Sequence, residues 1–231
     1  MKIDQPDPGY TTSLRSRRNF VTALRFSVLF TALIWLIFSI NWLLGLNMQQ
    51  YGLLPHQQSG LWGILYTPLL HGSWQHLIAN TVPLLVVLTT TLFIYPNASL
   101  RVAPVIYFGT SMVVWVFGRP DIHIGISGVV YGLLSFIFVS GLLRRDIRSI
   151  SVSLLIWFMF SPLLAGLVPT AGPVSWEMHV AGFVLGIVLA VIYRDWDLPP
   201  VKRYAWEDEP DEDELDSLLR RHDLEADDPD R

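Results

Sequence analysis

The sequence predicts an all-α, polytopic membrane protein with six spanning helices, and three observations carry that prediction. Hydrophobic residues make up 52% of the 231 positions and charged residues only 16%, against about 25% charged in soluble domains. From Phe26 through Leu100 there is no Asp, Glu, Lys or Arg, and a soluble fold could not cover its surface across such a stretch. Six segments approach the roughly 20 apolar residues that cross about 30 Å of hydrocarbon. They lie at residues 20–45, 76–95, 101–118, 125–143, 150–168 and 176–193.

The first segment follows Arg15, Arg17 and Arg18, as a secretory signal would. Its apolar run is too long for a cleaved signal and lacks a small-residue cleavage site, so it is expected to be a retained span. The polar, uncharged stretch Asn47–Gly60 then forms an outer loop. The apolar stretch from Leu61 to Tyr95 exceeds one perpendicular span. Its first part, with Trp62, Tyr66 and Trp74, suits the membrane interface, where amphipathic rings sit. Pro83 is expected to kink the second span below Asn80.

Orientation follows from the short loops, where Lys and Arg mark the cytoplasmic side. Lys2, Arg15, Arg17, Arg18, Arg101, Arg144, Arg145, Arg148, Arg194, Lys202 and Arg203 fall on one side and Arg119 alone on the other. Both termini are therefore expected in the cytoplasm, with the plasma (inner) membrane as location. The resulting organisation is a cytoplasmic segment 1–19, a membrane domain 20–194 and a tail 195–231. The tail holds five basic and fifteen acidic residues, too acidic to build a core, and is expected to be disordered. The chain has no cysteine, which excludes disulfides, thiolate metal sites and a cysteine nucleophile.

Spans two, four and six run in the same direction and carry their polar residues near the outer end. The second begins with His76 and Asn80, spaced i, i+4 on one face. The fourth begins Gly125-Ile126-Ser127-Gly128, with Tyr131 one turn below the serine, and the sixth begins Trp176-Glu177-Met178-His179. Polar groups left unpaired in hydrocarbon cost roughly 2–7 kcal/mol each, so these should converge on each other or on a wet pocket. Gly128 with Gly132, and Gly182 with Gly186, form two small-xxx-small stripes that allow close backbone approach. Packing along them would bring His179 to Ser127.

A serine needs a base to become a nucleophile, and histidine is suited to that near neutral pH. Oxyanion donors are available from the free N–H groups at the start of the fourth span and from His76 and Asn80. No acidic third member is at hand, because Glu177 lies on a different face from His179 and Asp121 and Asp146 fall in loops. The inventory suffices for acyl transfer by a Ser–His dyad. Taken singly, each residue has a plainer reading: Ser127 as a packing serine, His179 as a packing or proton-relay residue, and Asn80 and His76 as interhelical hydrogen-bond partners.

The segments His71-Gly-Ser-Trp-Gln-His76-Leu-Ile-Ala-Asn80, Gly125-Ile-Ser127-Gly128 and His179-Val-Ala-Gly182-Phe-Val-Leu-Gly186 together resemble the signature motifs of the rhomboid intramembrane serine proteases. The resemblance covers about residues 20–194. It implies a six-helix rhomboid bundle that cleaves transmembrane segments near the outer face, with Ser127 as nucleophile and His179 as general base. It also implies His76 and Asn80 on the oxyanion side, Tyr131 packed on the catalytic imidazole, and a structural or water-organising His71. Family members use no metal or cofactor. Expected partners are the lipid bilayer and membrane-protein substrates, single-span ones above all, with no nucleic acid. One departure is visible: many rhomboids carry a Trp-Arg pair in the first outer loop, whereas Gly63 follows Trp62 here. Rival readings are a catalytically silent relative that escorts membrane clients and a proton-coupled transporter using His76 and His179. The absence of intramembrane carboxylates speaks against the transporter.

Overall fold

The computed structural model describes residues 14–198 except 145, 171 and 173. The expectations for residues 1–13 and for the acidic tail beyond residue 198 therefore lie outside the described residues. Among the described residues six long helices run in sequence: α1 (Leu14–Leu44), α2 (Trp74–Ile94), α3 (Pro96–Phe117), α4 (Ser127–Arg144), α5 (Ile147–Phe160) and α6 (Trp176–Ile192). Five are long and apolar enough to cross a membrane when α5 is counted with the 3-10 segment Ser161–Leu167 that continues it; α6 is apolar but only 17 residues long. Together they form a polytopic helical bundle.

Helix boundaries differ from the sequence reading in three places, each for a local reason. Helix α1 is already helical at Leu14, the first described residue, ahead of the expected residue 20, because arginine is a good helix former and Arg15, Arg17 and Arg18 extend the helix past the apolar run. Helix α3 starts at Pro96 rather than near residue 101, as proline's preset φ allows at a first position. Only Tyr95 separates it from α2, so Arg101 lies within a helix, its guanidinium over the Trp196 ring. The fifth span changes to 3-10 geometry at Ser161, with Pro162 in its first turn, where proline removes a backbone donor. Pro83 sits inside α2, which is one helix from Trp74 to Ile94.

Helix α4 is the centre of the bundle: 72% of its 18 residues are buried, against 17% of the most apolar part of Ile147–Leu167. A helix enclosed on all sides is apolar all round, and α4 is nearly so, with small residues where neighbours come closest. A Cβ at Gly132 would meet the Gly182 carbonyl oxygen at 3.0 Å, and one at Gly128 would meet the Met178 carbonyl oxygen at 2.9 Å. From the other side, a Cβ at Gly182 or Gly186 would overlap the carbonyl of Gly128 or Gly132. Helices α4 and α6 thus touch backbone to backbone, and Ser135 Oγ donates across to the Phe183 carbonyl at 2.8 Å.

Helix α1 buries Ser27, Thr31, Ile34, Phe38 and Asn41, a stripe repeating every three or four residues that faces α2. The Trp35 indole donates to Thr81 Oγ1 at 3.0 Å, and Trp74 packs edge-on against Phe38 and Trp42 where α1 ends and α2 begins. Asp197, just beyond α6, caps the start of α3 by accepting from the Asn97 and Ala98 N–H groups at 3.0 and 2.8 Å. The carboxylate meets orphan donors at the positive end of a helix.

The loop between α1 and α2 is folded into short helical turns, 48–51, 58–62 and 63–69. Glycine permits this: Cβ atoms at Gly60 and Gly63 would collide with the backbone of Leu54 and Leu53. This close approach explains why glycine rather than arginine follows Trp62 here.

Replacing Gly182 by alanine is expected to pry α4 from α6 and cost about 1–3 kcal/mol. Gly172→Ala, where an added Cβ meets nothing within 4 Å, is expected to be neutral. Unfolding in mixed micelles measures both, and equal stabilities for the two variants would contradict the backbone contact.

Candidate active site

The glycine seam of α4 and α6 places the first residue of α4 beside the fourth residue of α6. Ser127 Oγ and His179 Nε2 lie 2.9 Å apart, and both residues are buried. The Tyr131 ring stacks on the imidazole with centroids 4.2 Å apart and planes 14° from parallel. On the far side of the ring, His179 Nδ1 donates to the Gly166 carbonyl at 2.8 Å. The Tyr131 hydroxyl donates to the Leu163 carbonyl. Both acceptors belong to the 3-10 segment Ser161–Leu167.

Gly125 precedes α4 and shapes the turn into it instead of packing within the helix. Its φ of +114° is open to glycine and strained for other residues. A Cβ there would also meet the His76 ring at 2.7 Å, so His76 lies against this turn. Thr67 ties the α1–α2 loop to the same turn. Its carbonyl accepts from the Gly125 N–H at 2.9 Å, and its hydroxyl donates to the His123 carbonyl at 3.1 Å and accepts from the Leu53 N–H at 2.7 Å. Leu53 and His123 also exchange both backbone hydrogen bonds, at 3.0 and 2.8 Å.

Asn80 and His76 share the α2 face toward this region, yet among the described residues neither hydrogen-bonds Ser127. The Asn80 amide nitrogen donates to the His76 carbonyl at 3.1 Å and to His71 Nε2 at 3.4 Å. An amide nitrogen has two N–H donors, so both are engaged, the one to His71 over the longer distance. His71 itself is buried against the His76 ring, with centroids 4.9 Å apart. Burial, and secondarily the neighbouring His76, hold its pKa at about 3. It is therefore neutral at physiological pH and able to accept from Asn80.

Glu177 does not hydrogen-bond His179. It forms an ion pair with Arg119, whose guanidinium also donates to the Val174 carbonyl at 3.3 Å. Beside it the buried His123 bridges Ser175 Oγ at 3.0 Å and the Arg119 carbonyl at 3.1 Å. These contacts hold the first turn of α6, and with it His179. The sequence reading sets Arg119 on the outer side and Glu177 on a different face from His179, and misses this clasp. A signal for it exists: Arg119 is the lone Lys or Arg between Arg101 and Arg144, and Glu177 opens the helix that it meets. The Gly166 and Leu163 carbonyls leave no signal, since every residue carries one.

A helical bundle with serine and histidine joined at one end of a glycine seam defines a class of polytopic membrane proteins that hold a polar site among apolar helices. The chain belongs to the rhomboid family: the Rhomboid domain profile matches residues 58–196. It is 33% identical over 191 residues to the uncharacterized protein Rv1337 of Mycobacterium tuberculosis, covering 79% of this chain and 80% of that one. It is 32% identical over 207 residues to the uncharacterized protein ML1171 of Mycobacterium leprae, covering 83% of this chain and 80% of that one. Rhomboid membership places the chain in a lipid bilayer and in a family whose members generally act on membrane proteins.

The burial of neutral His71 gives a pH dependence. A histidine whose folded pKa falls from 6.5 to about 3 binds fewer protons when folded than when unfolded between those values. Its contribution to stability is full above about pH 6.5 and is lost as the pH falls toward about 3. Melting temperatures in detergent between about pH 7 and about pH 4 should drop more steeply for wild type than for His71→Gln. Parallel slopes would contradict the buried neutral state.

Proposed function

We propose that this protein is an intramembrane serine endopeptidase that cleaves transmembrane segments of other membrane proteins, with Ser127 as nucleophile and His179 as general base. The observation that carries the reading is the 2.9 Å contact between Ser127 Oγ and His179 Nε2, made inside a bundle of apolar helices. His179 Nε2 takes the hydroxyl proton as Oγ bonds to the scissile carbonyl carbon. The carbonyl oxygen becomes the oxyanion, and the free N–H groups at the start of α4 are close enough in sequence to receive it. Collapse of the intermediate breaks the C–N bond while His179 returns the proton to the leaving nitrogen. Water then repeats the sequence on the acyl-enzyme and releases Ser127.

Asn80 is proposed as a further oxyanion donor. Taking that role requires it to release its longer hydrogen bond, the one to His71, as charge develops on the substrate. His76 lines the same region against Gly125. The excess of Lys and Arg expected at the other end of the bundle supports a cytoplasmic position for both termini, with the dyad near the outer face. Single-span substrates whose helices unwind easily suit such a site, because a fully hydrogen-bonded helix hides its carbonyls from attack.

Reconstituted protein should cleave a single-span reporter in vesicles. Ser127→Ala and His179→Ala are each expected to abolish cleavage, and Asn80→Ala to lower turnover by about 10²-fold. Cleavage that persists in Ser127→Ala would refute the reading, and unchanged turnover in Asn80→Ala would remove that residue from the oxyanion site.

A further inference from the structure

Among the described residues the proposed dyad lacks the acid that holds the base in a serine triad, since the carboxylate nearest to His179 along α6, that of Glu177, is committed to Arg119. A base histidine still needs one tautomer, with the proton on the nitrogen that faces away from the serine. We infer that Gly166 is a positioning residue whose main-chain carbonyl takes the place of that acid and fixes His179 with its proton on Nδ1. This role rests on the proteolytic reading and extends it.

A carbonyl oxygen can only accept, so the 2.8 Å contact between Gly166 O and His179 Nδ1 requires a proton on Nδ1. In the neutral ring Nε2 then presents a lone pair, and it faces Ser127 Oγ at 2.9 Å. A second carbonyl of the same segment, that of Leu163, accepts from the hydroxyl of Tyr131, whose ring covers the imidazole face. One short 3-10 segment thus holds the ring by its edge and, through Tyr131, by its face.

The identity of residue 166 matters as well. A Cβ there would run into the Tyr131 hydroxyl and stand 3.0 Å from His179 Nδ1, the two donors that this segment serves. Glycine is needed for the carbonyl to reach the ring. A neutral acceptor also suits the setting: a buried carboxylate carries a far larger desolvation cost than a carbonyl already present in the chain. When His179 takes the serine proton, the carbonyl dipole still points its negative end at the new imidazolium.

Histidine-selective nitrogen NMR of the full chain in micelles reads the tautomer directly, with His179→Ala identifying the resonances. Wild type is expected to show His179 with Nδ1 protonated and Nε2 bare. Gly166→Ala is expected to lose that single tautomer and to lower kcat on the vesicle reporter by about 10²-fold, with KM little changed. A wild-type spectrum with the proton on Nε2 would overturn the inference even if Gly166→Ala failed to fold. A folded Gly166→Ala with unchanged tautomer and kcat would overturn it as well. Wild type that holds the Nδ1–H tautomer yet cleaves nothing would instead sink the proteolytic reading while leaving the Gly166–His179 hydrogen bond and its tautomer standing.

Discussion

Two helices that meet without side chains between them set the geometry of the site. Helices α4 and α6 touch through Gly128, Gly132, Gly182 and Gly186, and at that separation an imidazole on one reaches a hydroxyl on the other. In lipid no hydrophobic force drives helices together, so close packing and interhelical hydrogen bonds must do so. The bond from Ser135 to the Phe183 carbonyl adds to the seam. A larger residue at any of the four glycines would act on Ser127 and His179 by widening the gap between their helices.

Around the dyad, the same end of the bundle gathers several polar groups into pairs. Thr67 satisfies Leu53, His123 and Gly125 at once. Arg119, His123 and Glu177 hold the start of α6. Asn80 divides its two donors between His76 and His71. Each arrangement pairs polar groups that would be costly to bury alone, and each fixes structure close to Ser127 or His179. The contacts that stabilise this end therefore also shape it.

Much of this is legible in the amino-acid sequence. Long charge-free apolar runs announce spans because bilayer thickness dictates their length. Depth and glycine spacing point to a meeting of Ser127 and His179. Helix ends are less legible: Arg15, Arg17 and Arg18 continue α1 because arginine favours helix, and hydropathy alone does not register that. The direction of the Asn80 amide is hidden because it depends on His71, which lies outside the helix that carries Asn80. The acceptors of the 3-10 segment are invisible in principle. A backbone carbonyl has no letter of its own, and only tertiary placement brings those of Leu163 and Gly166 to the imidazole and to the tyrosine stacked on it.

Activation of the Ser127 hydroxyl by His179 is tested most directly by intact-mass analysis and peptide mapping after treatment with an activated phosphonate. The reagent reports a reactive serine whatever the natural substrate is. A single adduct on the peptide holding Ser127, absent from folded His179→Ala, is the predicted result. A folded wild type that takes up no phosphonate, or an adduct on Ser127 that forms equally well without His179, would contradict the account.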